Sequence, residues 1–347
     1  MVEGISWVKL RRPWHPAQGD RNAGLTRRVL LCSLALMKIS LAALSLALLA
    51  QSAAAQLRCL ESDAAIEVRN GEALVLRYHK KPTADAAKND PLYSRTGYIH
   101  PLCTPSGKVV TGDYEPDHPH QHGLFFAWTK TSFDGRSPEF WNQKQGSGRI
   151  SHVKTIAVHS EATVCGFDVA HRYEDLTAPA GPVPVLDETW EVRVTLVEGR
   201  YVLDLRVVQQ CAGEKPLTIE TYHYGGMAIR GPSSWLGEEA ERIVTSDGKK
   251  RVEGNHTRPV WVKMSGTLGD AACGVVAIPG PENFRSPQWV RLHPAKPYFV
   301  FAPMVEEPFQ IRPGQTHESR FRFVLFDGEI GEPEIRGLGV RPWGEAP

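Results

Sequence analysis

The amino-acid sequence predicts an all-β fold, a large antiparallel β-sandwich. Short apolar runs alternate with polar residues at every second position, which is the periodicity of strands with one buried face. Glycine and proline are frequent between those runs, as the turns of an antiparallel sandwich require. No stretch beyond residue 56 shows helical periodicity over three turns.

The clearest predicted element is a β-hairpin. Apolar and polar residues alternate from Trp190 to Leu196, Glu198-Gly199 forms the turn, and the alternation resumes from Tyr201 to Val207. Seven shorter runs are also predicted strands: 73–78, 123–128, 150–158, 258–262, 274–278, 298–302 and 320–326. The segment 176–184, rich in proline, alanine and glycine, is the predicted surface loop. Residues 56–347 therefore form one sandwich domain with a short polar C-terminal tail, and two stacked sandwiches are the alternative.

Residues 1–55 are predicted to be an export signal. From Met37 the chain has a charged start at Lys38, an apolar run over 41–50 and small residues at 53–55, which is the pattern of a secretory signal peptide. We expect translation to start at Met37, cleavage to follow Ala55, and the protein to be periplasmic or secreted. A twin-arginine signal at 26–31 is the alternative. Lys38 interrupts the apolar stretch, so no membrane anchor is predicted, since a span needs about 18 uncharged residues.

Charge and cysteine content exclude several classes of protein. Seven of the 40 Lys and Arg and two of the 39 Asp and Glu precede residue 56, which leaves 33 and 37 and a formal charge of about −4. This balance argues against nucleic acid as a partner and against binding to an anionic membrane surface. Five widely spaced cysteines remain without a Cys-x-x-Cys pair, and we expect buried apolar thiols with at most one or two disulfides.

The segment 117–123, Asp-His-Pro-His-Gln-His-Gly, is the most informative stretch of the chain. His118, His120 and His122 occupy alternate positions, so their side chains share one side if the backbone is extended and Pro119 introduces no turn. Histidine is the commonest metal ligand, and its pKa of about 6.5 also suits proton transfer. The pattern therefore predicts either a divalent metal bound by these three residues, with a more distant His100, His152 or His223 as a possible ligand, or an acid–base site.

Several motifs resemble a known family. They are 97–107 (Gly-Tyr-Ile-His-Pro-Leu-Cys-Thr-Pro-Ser-Gly), 117–123, 124–128 (Leu-Phe-Phe-Ala-Trp), Phe140-Trp141, 148–152 (Gly-Arg-Ile-Ser-His), 224–230 and 261–266. The chain resembles, over nearly all of its length beyond residue 56, the exported bacterial PmoA-like family of unknown function commonly labelled "methane oxygenase PmoA". Many members read Asp-His-Pro-His-His-Arg-Gly, so the resemblance carries over to His118 and His120, whereas Gln121 and His122 depart from it. It implies a carbohydrate context, because members are commonly encoded beside, or fused to, sugar oxidoreductases and glycan-breakdown enzymes.

The metal-free hypothesis assigns proton transfer to one histidine of the pair His118 and His120. A carboxylate, Asp117 or Glu220, would orient that histidine or carry the opposite role. His223 is the favoured remote partner, because its neighbours combine polar groups with two glycines that permit close approach of a ligand.

Three further residues are predicted to bind the substrate. Trp141 follows the histidine segment on a loop and offers an aromatic face for a sugar ring. Arg230 would bind a hydroxyl or carboxylate, and His152 would line the same cleft. The remaining histidines have no comparable neighbours and are expected at surface or structural positions: His79, His159, His171, His256, His293 and His317.

The leading functional hypothesis is an exported carbohydrate-active enzyme of the lyase, hydrolase or epimerase type. Its favoured fold is the supersandwich of the galactose-mutarotase group, where a cleft on a sheet binds sugars, and a cupin-like jelly roll is the runner-up. A non-catalytic glycan-binding protein is the alternative. Copper-dependent oxidation, as the family label suggests, is disfavoured, because the methane monooxygenase subunit is a multi-helix membrane protein. No dinucleotide, P-loop or Gly-x-Ser-x-Gly motif is present, so no nucleotide cofactor is expected.

Overall fold

The described part of the chain contains nineteen strands, two short α-helices, four single-turn 3₁₀ helices and the loops between them. The structure is a computed structural model that describes residues 56–88, 90–161, 164–236 and 242–344. The predicted export signal lies outside the described residues. The strands are β1 Leu57–Glu61, β2 Ala65–Asn70, β3 Ala73–His79, β4 Ile99–Leu102, β5 Leu124–Ala127, β6 Thr131–Phe133, β7 Gly148–Ser160, β8 Val164–Asp175, β9 Val183–Val197, β10 Arg200–Cys211, β11 Leu217–Ile219, β12 Gly226–Arg230, β13 Ile243–Thr245, β14 Val262–Leu268, β15 Ala271–Pro279, β16 Val290–Leu292, β17 Tyr298–Phe301, β18 Phe309–Ile311 and β19 His317–Asp327. The helices are α1 Arg251–Gly254 and α2 Glu332–Gly339.

Two eight-stranded sheets and one three-stranded sheet form the fold. The first sheet has the order β1-β2-β3-β4-β5-β12-β17-β16, the second β13-β14-β15-β19-β10-β9-β8-β7, and the small sheet β18-β11-β6. Every strand pair in them is antiparallel. The two large sheets share one apolar core, in which Phe301 of the first stacks on Phe321 of the second at 5.9 Å between ring centroids. The predicted antiparallel sandwich is confirmed.

The strand predictions are correct where the alternation of apolar and polar residues is long. The predicted hairpin is β9 and β10, with Leu196 opposite Tyr201 and both turn residues, Glu198 and Gly199, at positive φ. The predicted strand at 258–262 is wrong, because only its last residue belongs to a strand, β14. The C-terminal tail is also more structured than predicted, since α2 buries Ile335 and Leu338 against the second sheet.

The five cysteines of the described chain are thiols, four of them buried: Cys59, Cys103, Cys165 and Cys273, with Cys211 half-buried. No helix within the described ranges is long and apolar enough to cross a membrane.

The strand register of the first sheet determines which residues lie side by side on its outward face. Phe126 and Phe301 point into the core between the large sheets, where both contact Phe321. Successive strand residues point to opposite faces, so Phe125 and Val300 point outward. Pairing then places Phe125, Ala228, Val300 and Arg291 in one row across β5, β12, β17 and β16. This row lies beneath the candidate site.

Candidate functional site

A cleft of about 240 Å³ lies on the outward face of the first sheet. Loops that precede β5, β7 and β12 meet there with the hairpin between β16 and β17. The cleft is lined by His118, His120, Gln121, Trp141, Asn142, His223, Tyr224, Arg291, His293 and Tyr298. Four imidazoles, a guanidinium and three aromatic rings from distant parts of the sequence thus converge on one small space.

The histidine segment reaches the cleft through turns. The amide of His118 donates to the carbonyl of Glu115, and the amide of Gln121 donates to that of His118, so the backbone folds back twice around Pro119. The condition under which all three side chains would share one side, an extended backbone, is therefore not met. The rings of His118 and His120 are nevertheless 5.3 Å apart between centroids, and both line the cleft.

Asp117 anchors this loop from below. Its carboxylate accepts hydrogen bonds from Arg230 at 2.7 and 3.0 Å and from Lys296 at 2.8 Å. Burial alone would raise the pKa of Asp117, but the bonds from Arg230 and Lys296 outweigh it and hold that pKa well below its usual range. Asp117 therefore stays ionised and acts as an anchor for the histidine loop, since it is unable to exchange protons near neutral pH.

The hydrogen-bond network assigns the tautomers of two histidines. Lys296 Nζ lies 3.1 Å from His118 Nδ1, closer than the 3.3 Å between that nitrogen and Asp117. An ammonium group only donates, so we assign Nδ1 of His118 as the acceptor and Nε2 as the protonated nitrogen. His293 Nδ1 accepts from the amide of Ala295 at 3.2 Å, which likewise leaves its proton on Nε2.

His120 differs from its neighbours. Within the part of the chain that the structure describes, its ring contacts His118 and Tyr93, and neither ring nitrogen has a hydrogen-bond partner. Its free nitrogen is therefore available to a ligand in the cleft.

All four histidines of the cleft favour the neutral form. Burial, followed by the neighbouring His118, lowers the pKa of His120 to about 4. Burial also lowers the pKa of His293 to about 4, and it lowers those of His118 and His223, with Lys296 and Arg291 respectively as the next cause. At neutral pH these imidazoles are uncharged and able to accept a proton.

Trp141 forms the floor of the cleft. Its ring packs on Phe125, Tyr224 and Tyr298 at 4.7, 5.4 and 6.0 Å between centroids, and it is only 1% exposed. The buried carboxylate of Glu139 fixes this loop, because it accepts from the amide of Trp141 at 2.9 Å. Trp141 is therefore almost inaccessible to a ligand, and the half-buried Tyr224 is the more accessible ring.

Several residues predicted for the site lie elsewhere. His122 is fully buried, with Nδ1 2.7 Å from Asp113 and Nε2 2.9 Å from Gln143, so both ring nitrogens are occupied. His152 lies in a different depression and contacts the hydroxyl of Tyr78 at 2.8 Å.

Arg230 and Glu220 also require correction. Arg230 is fully buried and holds Asp117 and Gln121, so its guanidinium is inaccessible to a substrate. Glu220 accepts from the Ser132 hydroxyl at 2.6 Å in a neighbouring depression. His100, a further proposed ligand, contacts the Thr111 hydroxyl at 3.0 Å, outside the cleft lining.

The three predicted metal ligands do not converge. Among the described residues, no group of three or more His, Cys, Asp or Glu side chains is placed so that it could hold a metal ion. His118 and His120 face the cleft, whereas the ring of His122 packs against Tyr98 and Tyr114 beneath it.

Sequence reasoning missed most of the residues on the far side of the cleft. The sequence predicts a surface or structural position for His293, and it does not mark Arg291, Lys296, Tyr298 or Tyr224 as site residues. The register of β16 and β17 brings Arg291 and Tyr298 to the site, the hairpin between these strands carries His293 and Lys296, and Tyr224 lies just before β12. The sequence feature that could have indicated these residues is the spacing of Arg291 and His293. Residues two apart share a face of a strand, and both would do so if β16 continued by one residue.

The fold and the site define an all-β sandwich protein with a histidine-lined cleft on the outward face of one sheet. A family of unknown function, DUF6807, has a model that matches residues 65–338, and the chain belongs to this family. No curated protein matches the chain.

Solved structures similar to the chain include sugar-related enzymes. Heparan sulfate lyase HepC from Pedobacter heparinus is 9% identical with a TM-score of 0.40, and the match covers 80% of this chain and 37% of that one. A galactose mutarotase related enzyme from Lactobacillus acidophilus is 9% identical with a TM-score of 0.33, covering 78% and 97%. The α-galactosidase AgaA from Geobacillus stearothermophilus, solved with raffinose, is 12% identical with a TM-score of 0.33, covering 79% and 41%. The chain thus spans well under half of the lyase and of the galactosidase.

Proposed function

We propose that this protein is a carbohydrate-active enzyme of the lyase or epimerase type, exported by its N-terminal signal, that uses a neutral histidine of the cleft to remove a proton from a bound sugar. The observation that carries the proposal is the convergence of His118, His120, His223 and His293 on one cleft, each with a pKa lowered by burial. A lowered pKa keeps these imidazoles unprotonated at neutral pH, so each retains a ring nitrogen with a lone pair that is able to take a proton.

The proposed roles follow from the hydrogen bonds. His120 is the general base, because its ring nitrogens have no partner among the described residues. His118 and His293 present Nε2–H groups, which suit the hydroxyl oxygens of a sugar. In a lyase, His120 would take the proton from the carbon beside a carboxyl group, the electron pair would form a carbon–carbon double bond, and the glycosidic oxygen would leave with a proton from the Nε2–H of His118 or His293. In an epimerase, His120 would take the proton from such a carbon and the Nε2–H of one of these two histidines would return a proton to its opposite face.

The lining favours a sugar as the ligand. Aromatic rings lie beside amide, hydroxyl and imidazole groups, a combination that contacts both the apolar face and the hydroxyls of a pyranose. The volume of about 240 Å³ is below the range of roughly 300–1,000 Å³ that is typical of drug-sized ligands, so the enclosed part suits a single sugar unit.

The other predicted chemistries have less support from the geometry. Glycoside hydrolysis ordinarily uses two carboxylates that flank the bond, and no Asp or Glu is found among the described residues that line the cleft. Metal-assisted chemistry needs three or more converging ligands, and the described chain brings together no such group.

The test is turnover of neutral and acidic sugars by the purified protein, followed by proton NMR. His120→Gln should lower turnover by about 100-fold or more while sugar binding stays within a few-fold, because only the base is removed. His159→Gln is the matched control, since His159 lies on β7 and pairs with Asp168 of β8, outside the cleft lining. Sugars that bind without any chemical change would overturn catalysis in favour of glycan binding. One metal ion per chain, lost in His118→Ala/His120→Ala, would overturn the metal-free assignment.

A further inference from the structure

We propose that the cleft selects sugars that carry an oxyanion, a carboxylate or a sulfate, and that Arg291 is the residue that binds this group. The inference rests on the proposed function, because it names the substrate class of the same cleft. Two observations support it: the position of the Arg291 guanidinium, and its lack of a hydrogen-bond or ion-pair partner among the described residues.

Arg291 lies on the floor of the cleft because of its register. It is the central residue of β16, and its cross-strand neighbour on β17 is the apolar Val300. The side chain is half-buried and makes no hydrogen bond or ion pair with any residue that the structure describes. Leaving a half-buried charge without a partner has a cost in free energy, which a bound anion would offset.

Among the residues that the structure describes, none supplies a counter-charge to Arg291. Asp117 is the carboxylate beneath the cleft, and Arg230 and Lys296 already saturate it. These groups and Arg291 amount to three cations against one carboxylate. No Asp or Glu is found among the described residues of the lining, so the cleft has an excess of positive charge that an anionic ligand would neutralise.

The neutral histidines complete the arrangement. Arg291 lines the same cleft of about 240 Å³ as His223 and His293. Its positive charge, after the effect of burial, helps to lower the pKa of both histidines. The Nε2–H of His293 is a donor beside the five N–H donors of the arginine fork. A planar or tetrahedral oxyanion bound by the fork would accept hydrogen bonds from both residues.

The experiment is an NMR titration of the full protein with D-glucuronate, D-glucose 6-sulfate and D-glucose. We expect the parent to bind at least one of the two charged sugars about 10-fold or more tightly than glucose. Arg291→Gln should abolish this preference while glucose binding is retained. Arg291→Lys should keep part of it, because lysine supplies the charge without the fork. Arg336→Gln on α2, outside the cleft lining, is the matched control and should behave as the parent.

Each outcome decides the matter. A preference for glucuronate assigns a carboxylate as the recognised group, and a preference for the 6-sulfate assigns a sulfate. Equal binding of glucose and both charged sugars by the parent would overturn the inference and leave the proposed function standing. A preference that survives Arg291→Gln would overturn the role of Arg291. Binding of none of the three sugars would overturn both proposals.

Discussion

Lys296 determines which nitrogen of His118 carries a proton. Its ammonium group bridges Asp117 and His118 Nδ1, so it fixes the ring and lowers its pKa after the effect of burial. Buried Arg251 in turn holds the hairpin that presents Lys296, by donating to the carbonyl of His293 at 2.9 Å and to that of Lys296. The electrostatics of the cleft therefore depend on residues that never touch a ligand.

Lys296→Met should raise the pKa of His118. The substitution removes a positive charge and allows Nδ1 to donate to Asp117, and both changes favour the protonated imidazole. The measurement is a histidine titration by NMR, with Lys249→Met at an exposed turn as the control. An unchanged or lower pKa of His118 would contradict the assigned tautomer.

Asp117→Asn should destabilise the protein by about 2–4 kcal/mol, because it leaves the fully buried Arg230 without its counter-ion. Urea denaturation measures the free energy of unfolding. The control is Asp187→Asn, whose exposed pair with Arg172 should contribute less than about 1 kcal/mol. A loss at Asp117 as small as that of the control would show that Arg230 needs no anchor.

The strands with a long alternation of apolar and polar residues could be predicted from the sequence. The loop and the glycine positions whose conformation depends on close packing could not. The hairpin β9–β10 follows from the apolar periodicity over more than a dozen residues. The histidine loop has no such apolar periodicity, because Pro119 and two backbone turns determine its conformation. Gly225 and Gly226 were expected to admit a ligand, yet a Cβ on Gly226 would lie 2.4 Å from the Phe301 carbonyl oxygen. Gly226 instead permits close approach of β17, and a Cβ on Gly225 would meet Met304 and Thr129.

Gly226→Ala should therefore destabilise the first sheet and distort the cleft beside it. The position has a φ of 120°, and the added methyl would displace β17, which carries Tyr298 at the cleft. We expect a loss of about 2 kcal/mol or more. Gly213→Ala is the control, since it meets nothing within 4 Å. Thermal unfolding that is equal for the two variants would refute this account of the glycine.

For the molecule as a whole, wholly or partly buried histidines set the response to acid. Burial lowers the pKa to about 4 for five of them: His79, His120, His152, His293 and His317. The unfolded chain binds protons at these sites below about pH 6.5, whereas the folded chain does not until about pH 4. Stability is therefore complete above about pH 6.5 and is lost as the pH falls through this window.

Between pH 7 and pH 5 we expect His79 alone to account for a loss of the order of 1–2 kcal/mol in the free energy of unfolding. Carboxylates contribute little here, because their unfolded pKa values are near 4. Urea denaturation at the two pH values measures the loss, and His79→Gln, which does not titrate, should reduce it. Equal stability at pH 7 and pH 5 would contradict the neutral state of these histidines.

The sandwich could be predicted from the sequence because strand periodicity is local, whereas half of the cleft could not. His118, His120 and His223 stand out in local motifs. Arg291 and His293 reach the same cleft only through the pairing of β16, β17, β12 and β5, which is a property of the assembled sheet. Arg230 attracted attention in its motif, yet it is an anchor because the same assembly buries it.

The central claim is that neutral histidines of this cleft transfer a proton on a bound sugar. Its most direct test is kcat/KM on the sugar that the protein turns over, compared between the parent and His118→Ala/His120→Ala from about pH 5 to 8. We expect a flat profile for the parent, since its base has a pKa of about 4, and a loss of about 100-fold or more in the variant. Equal turnover by both proteins, or a parent profile that falls below a pKa near 6.5, would contradict the account.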